Sequence, residues 1–338
     1  MMCSIMGRQA NASFVLHDRL CAMILQESDA IYRESINDYL LLSSSKRQGH
    51  SNACLLSCAN ADNEMNTTVS NDASIVNESW REKICEWIYN VVDHFDYNRE
   101  IVSVAMNYFD RYLSIYSKNR LRPKLHPKLL QAVAVSALQL ALKINQSRSN
   151  HLLVLAELSR GLISAKNIND MEKSMLDCLS WKLSAPTAIA FLRHYILLMP
   201  NESIVQDVRK SEIAETAQFL IELSVCDYYF VRKNMKASSV ALASLLNAIK
   251  IVLSCPQGLY APLEYKVPRE VALVFIESLY EGVAYCDDTK RCENRLNDIY
   301  ESGGYGKTRT SSPCAVAEVP CRKTILHCEE KREKIILK

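Results

Sequence analysis

Apolar residues between 101 and 113 fall at Ile101, Val104, Ala105, Tyr108, Phe109, Tyr112 and Leu113. Steps of three and four place them on one face of a helix, so the spacing predicts a helix over about 99–116 with a single buried stripe. Asp110 and Arg111 stand inside that run. A carboxylate beside a core face is costly unless it is paired and hydrogen-bonded, so Asp110 needs a partner from elsewhere in the chain.

The same rhythm extends in both directions. Trp80, Ile84, Trp87, Ile88, Val91 and Phe95 predict a preceding helix. Ser79 with Glu82 three positions on reads as its capping box. Leu130, Val133, Ala134, Ala137, Leu138 and Ala141 predict a third helix. Its small residues permit close approach of neighbours and place it at a bundle centre. Fourth and fifth helices are expected over 150–160 and 167–180, and Pro186 breaks the pattern. The rhythm then restarts in AIAFLRHYILL, in SEIAETAQFLIELSV with Ser211 as its N-cap, in ASSVALASLLNAIKIVL and in PREVALVFIESLYEGVAYC. The expected fold is all-α, two consecutive five-helix bundles. A helical segment is expected over 1–42, a Ser/Asn-rich linker over 43–76, the bundles over 77–184 and 185–299, and a disordered tail over 300–338.

Composition agrees with helices. The 338 residues include only 8 Gly and 9 Pro, and 49% are hydrophobic. A formal charge of +2 supplies no global attraction to nucleic acid. The 13 cysteines follow a start, MMCSIMGRQANASF, with no continuous apolar signal core, so reduced thiols are expected. No run of 18 apolar residues predicts a membrane span.

Chemistry-bearing motifs are sparse. Cys54 and Cys58, with His50 nearby, lack a second pair at metal-ligand spacing. There is no phosphate-binding glycine motif and no nucleophile elbow, and His94 and His151 stand alone. The loop holding Lys118, Arg120, Arg122, Lys124, His126 and Lys128 is basic but has no interleaved aromatic residue, which disfavours nucleic-acid stacking. No catalytic group, metal or cofactor is expected.

The stretches WREKICEWIYNVVDHFDYNREIVSVAMNYFDRYLSIY (80–116), SALQLALK (136–143), DMEKSMLDCLSWKLSAPT (170–187) and AETAQFLIELSVCDYYFVRKNMKASSVALASLL resemble, in this order and spacing, two successive cyclin boxes. YRESINDYL (32–40) resembles the short helix that precedes the box, and AMNYFDRYLS leans towards the D-type class. The resemblance implies a regulatory subunit, not an enzyme, that binds and activates a cyclin-dependent kinase in cell-cycle control, in nucleus and cytoplasm. Cyclin-like transcription factors and metabolic or phosphate-signalling cyclins are the alternatives.

The resemblance also assigns residues. Arg81 would pair with Asp110, a structural bridge. Lys143 and Glu172 would bind the kinase. Trp80, Ile84, Trp87 and Gln131 would line a groove for Arg-x-Leu motifs of substrates or inhibitors, although Lys83 stands where the family has an apolar residue. After Lys143 the chain reads Ile144, Asn145, Gln146 where many members are acidic, which bears on partner choice. Leu326, Cys328 and Glu330 fit the Leu-x-Cys-x-Glu motif that docks retinoblastoma-like pocket proteins.

Overall fold

The computed structural model describes residues 15–16, 18–29, 39–40, 77–119, 123–146, 151–159, 161–198, 207–254 and 286–303. The pocket-protein motif, nearly all of YRESINDYL, the 43–76 linker and the helix expected from 268 lie outside the described residues.

The first repeat comprises α1 (Glu78–His94), α2 (Glu100–Lys118), α3 (Pro127–Asn145), α4 (His151–Leu158) and α5 (Ala165–Cys178). The second comprises α6 (Ala188–Leu198), α7 (Asp207–Cys226), the single turn α8 (Tyr228–Arg232), α9 (Ala237–Ser254) and α10 (Asp287–Ser302). No strand occurs among the described residues. Each repeat is built around one small-residue helix. α3 packs against α1, α2, α4 and α5, and α9 packs against α6, α7 and α10. By length and composition alone α3 could cross a membrane. Its neighbours in the bundle account for that apolarity, because Val133, Ala137, Leu138 and Ala141 are buried among them.

Several local expectations need correction. Ser79 lies inside α1, and the N-cap is Asn77, which makes no side-chain cap bond. The helix starts earlier because Glu78 sits in its first turn, where the helix dipole favours an anion, and Arg232 of α8 reaches it at 3.4 Å. Ser211 does not cap α7 either. That helix begins at Asp207, and the Ser211 hydroxyl donates to Glu215 within it. The polar residues of its first turn carry no apolar period that sequence could register. The working caps lie elsewhere: Ser164 accepts from the amide of Asn167, and His126, ahead of Pro127, accepts from that of Leu129.

α2 also departs from a single stripe. Val102, Met106, Arg111, Ser114 and Ser117 are buried as well, while Val104 is only half-buried. The helix touches α1, α3 and α5 and also α7 of the second repeat, so protein surrounds most of its circumference. α10 was not anticipated and runs to Ser302, into the stretch expected to be tail. Its sequence, DDTKRCENRLNDIYES, is mostly charged, and only Thr289, Cys292, Glu293 and Leu296 are buried.

The N-terminal helical residues 18–28 dock on the second repeat. Leu20 enters that core, and Met23 and Ile24 pack against it. Glu27 accepts from the amide of Ser238 at 2.9 Å and from its hydroxyl at 2.5 Å, capping the start of α9.

Candidate functional site

Asp110 sits at the junction of the two repeats. Arg81 in α1 donates to it twice, from Nε at 3.0 Å and Nη2 at 2.9 Å. The Tyr39 hydroxyl donates to the same carboxylate at 2.9 Å. The remaining face of the guanidinium turns to the second repeat: Nη1 donates to the carbonyls of Val225 at 2.8 Å and Cys226 at 3.1 Å, at the C-terminal end of α7. Those carbonyls are among the groups a helix end leaves unsatisfied. Tyr228 lies under Arg81 and meets Tyr39 edge-on.

Arg81 and Asp110 have side chains 3% and 5% exposed, so both charges have left water. Burial alone would lower the guanidinium's affinity for its proton, but Asp110 holds it above the ordinary arginine range. Burial, and then the Asp110 charge, keep the Tyr39 phenol protonated well above its usual value. The arrangement is chemically inert and fixes geometry. Removing one partner of such a pair costs about 3–5 kcal/mol, because the other charge remains buried.

A second joint reinforces the first. Arg99, just before α2, grips Asp93 with two bonds of 2.8 and 3.0 Å and reaches Glu222 of α7 at 2.6 Å. The Arg99 guanidinium also stacks over the Tyr89 ring. Sequence reading missed this joint, because pairing across 123 positions carries no local signature.

Lys143 and Glu172 occupy a different environment. The ammonium at the end of α3 bonds both carboxylate oxygens of Glu172 in α5, each at 2.8 Å. The Lys143 side chain is 47% exposed and that of Glu172 11%. Ile144, beside Lys143, is exposed. Beyond the end of the helix carrying Glu172, Trp181 is 69% exposed and Ser180 and Trp181 both have left-handed backbone, φ 51° and 58°. Trp181 was visible in the sequence, but its exposure was not.

The four groove residues divide. Ile84 belongs to the first core, while Trp80, Trp87 and Gln131 are half-buried. They stand on α1 and α3, which pack together, and Lys83 is exposed beside them. Among the described residues no cluster of His, Cys, Asp or Glu could hold a metal ion.

Two helical bundles, each wrapped around a small-residue central helix, with ionic joints between them, define a tandem-repeat helical scaffold. The family described as "Cyclin, N-terminal domain" matches residues 53–184, and "Cyclin, C-terminal domain" matches 186–267, together more than half of the sequence. The chain belongs to the cyclin family. It is 29% identical to Cyclin-D3-3 of Arabidopsis thaliana over 53% of this chain and 47% of that protein. It is 31% identical to G2/mitotic-specific cyclin-1 of Medicago sativa subsp. varia over 51% of this chain and 36% of that protein. The chain thus spans about half or less of the length of these curated relatives. Among solved structures, a viral cyclin from herpesvirus saimiri is similar at 15% identity and a TM-score of 0.49, covering 67% of this chain and 86% of that one.

Proposed function

We propose that the chain is the regulatory subunit of a cyclin-dependent protein kinase acting in cell-cycle control, in nucleus and cytoplasm. The observation that carries this reading is the Lys143–Glu172 pair at a partly exposed edge, flanked by exposed Ile144. An ammonium can donate to a partner's free carbonyls, and a carboxylate can accept from its free amides. Held 2.8 Å apart, the two groups are pre-organised, so less side-chain freedom is lost on docking. Ile144, next to Lys143, adds apolar area that a polar pair alone would lack.

In this reading the chain performs no chemistry. Members of the cyclin family are regulatory subunits. The rigid first repeat presses the kinase's αC helix inward, which completes the kinase's own Lys–Glu pair and orders its activation loop. Trp80, Trp87 and Gln131 form the accessible part of an Arg-x-Leu docking groove, with Ile84 supporting it from the core. Leu326, Cys328 and Glu330 offer a pocket-protein motif.

The test is co-purification with a panel of cyclin-dependent kinases, followed by a histone phosphorylation assay. The Lys143→Ala/Glu172→Ala variant, checked for folding by circular dichroism, is the control. Binding and activation that vanish in the folded double variant support the reading. A wild-type chain that captures no kinase removes it and brings the transcription-factor alternative forward, with salt-dependent DNA binding as its signature.

A further inference from the structure

The junction between the repeats holds two thiols, Cys85 in the first core and Cys226 packed against it, whose chemistry the proposed function does not use. Cys85 lies one turn after Arg81 in α1, and Cys226 is the last residue of α7. Their sulfurs are 3.3 Å apart, across 141 positions of chain. Disulfide closure brings two sulfurs to about 2.05 Å, so little more than an ångström of approach separates this contact from a bond. The contact is positioned by the junction itself, since Arg81 binds the carbonyls of Val225 and Cys226 and so fixes the end of α7 against α1.

The two cysteines differ in a useful way. Cys85 is wholly buried, whereas Cys226 is half-buried and is the more accessible residue of the two. A reactive thiol needs access and a stabilised thiolate, and a resolving thiol needs only to be within reach. The Cys226 thiol is lowered from its ordinary range by the contact with Cys85, against the effect of burial, with help from the Arg81 charge. Cys292 is the internal contrast: it is buried, and burial together with Asp288 pushes its thiol up to about 12.

We propose that Cys85 and Cys226 are a redox-modification site, a reversible disulfide that peroxide closes between the first and second repeats. The Cys226 thiolate attacks one peroxide oxygen. The O–O bond breaks, and a sulfenic acid forms with release of hydroxide, which takes up a proton to become water. The Cys85 sulfur then attacks the Cys226 sulfur, the S–O bond breaks, and the departing hydroxyl takes the Cys85 proton and leaves as a second water. Two thiols and one hydrogen peroxide give one disulfide and two waters, and a dithiol reductant reverses the oxidation by exchange. The bond closes a long loop and ties the repeats together, which raises resistance to unfolding. Because it lies beside the Arg81–Asp110 joint, it reinforces an orientation already set.

The test treats the folded full chain with hydrogen peroxide, blocks remaining thiols by alkylation and maps peptides without reduction. The expected product is one peptide pair joined through Cys85 and Cys226, about 2 Da lighter than the two free-thiol peptides together and released by dithiothreitol. Exposed Cys21 and Cys286 report the dose that modifies surface thiols. Oxidation should raise the thermal midpoint of the wild type and leave that of Cys226→Ser unchanged. Should Cys226→Ser fail to fold, Cys85→Ala replaces it, and the wild-type map is decisive by itself. The proposal is overturned if Cys226 is alkylated or over-oxidised without linkage once Cys21 and Cys286 have reacted, or if linkage appears only in denatured chain.

Discussion

Arg81–Asp110 and Lys143–Glu172 are the same chemistry in two settings. Each joins two helices of the first repeat, and each has donor–acceptor distances near 2.9 Å. The first is sealed from water, while the second keeps 47% of its lysine side chain exposed. Burial decides what each can do. The sealed pair has a third hydrogen bond from Tyr39 and two contacts to α7 carbonyls, so its charges are spent inside the protein and buried away from any outside partner. The second pair, with its lysine end in water and Glu172 buried, is held across the α3–α5 contact and stands where another protein could share it. A buried ion pair is weak evidence for net stability, yet breaking it is severe. An exposed pair contributes little stability and is free to serve recognition.

The comparison is broken most forcefully at its buried member. Asp110→Ala leaves the Arg81 guanidinium unpaired and removes the acceptor of Tyr39. The expected loss is about 3–5 kcal/mol, read as a large fall in denaturation midpoint or as insoluble expression. A variant within about 1 kcal/mol of wild type would show that water reaches the site and that the pair is not sealed. Arg99→Ala comes next. It strips Glu222 of its counter-charge and releases Asp93, with an expected cost of about 2 kcal/mol in urea titration. A loss as large as that of Asp110→Ala would move the principal joint from Arg81 to Arg99.

Tyr39→Phe is the finer probe. It deletes the hydroxyl bonded to Asp110 and keeps the ring against Tyr228, so a loss of about 1 kcal/mol is expected. The same denaturation measurement made with Asp110→Ala as background should show a smaller effect, since the acceptor is already gone.

These experiments also separate what sequence made legible from what it did not. The apolar stripe around Asp110 and the rule that buried charges find partners show that this carboxylate needs a counter-charge, and the resemblance to cyclin boxes names Arg81 as that partner. Tyr39, the α7 carbonyls and the Arg99–Glu222 bridge escape that reasoning, because they are contacts between segments far apart in the chain. Helix interiors were readable from period, whereas their starts were not. Ser79 and Ser211 have the right chemistry for caps, yet helical backbone begins upstream of both, at Glu78 and Asp207. α10 was missed because a short apolar edge on a charged helix gives a faint pattern. Trp181 was read as part of a family motif, and only the structure reveals a solvent-held indole on left-handed backbone.

Acidity sharpens the second repeat's part in the comparison. Burial raises the Glu222 carboxyl above its ordinary value, and the nearby Arg99 returns only part of that cost. Glu27 is raised for the same first reason, opposed by its bonds to Ser238. The folded state therefore binds more protons than the unfolded chain over this window. The contribution of these groups is full below the ordinary value of 4.5 and is lost as pH rises through their folded values. Glu222→Gln should flatten that decline between acid and neutral pH, read from denaturation midpoints measured across that range. An unchanged slope of stability against pH would mean that Glu222 is as well solvated folded as unfolded.

The smallest effect on stability belongs to Lys143→Ala/Glu172→Ala, expected below about 1 kcal/mol because the pair is partly exposed and both charges leave together. That same variant is the most direct test of the central claim, that one pair holds the scaffold and the other meets a partner. The measurement is capture of a cyclin-dependent kinase by wild type and by the double variant, each with its thermal midpoint recorded. The account predicts capture weakened by about tenfold or more with the midpoint nearly unchanged. Capture equal to wild type, or capture and midpoint falling together, would contradict it.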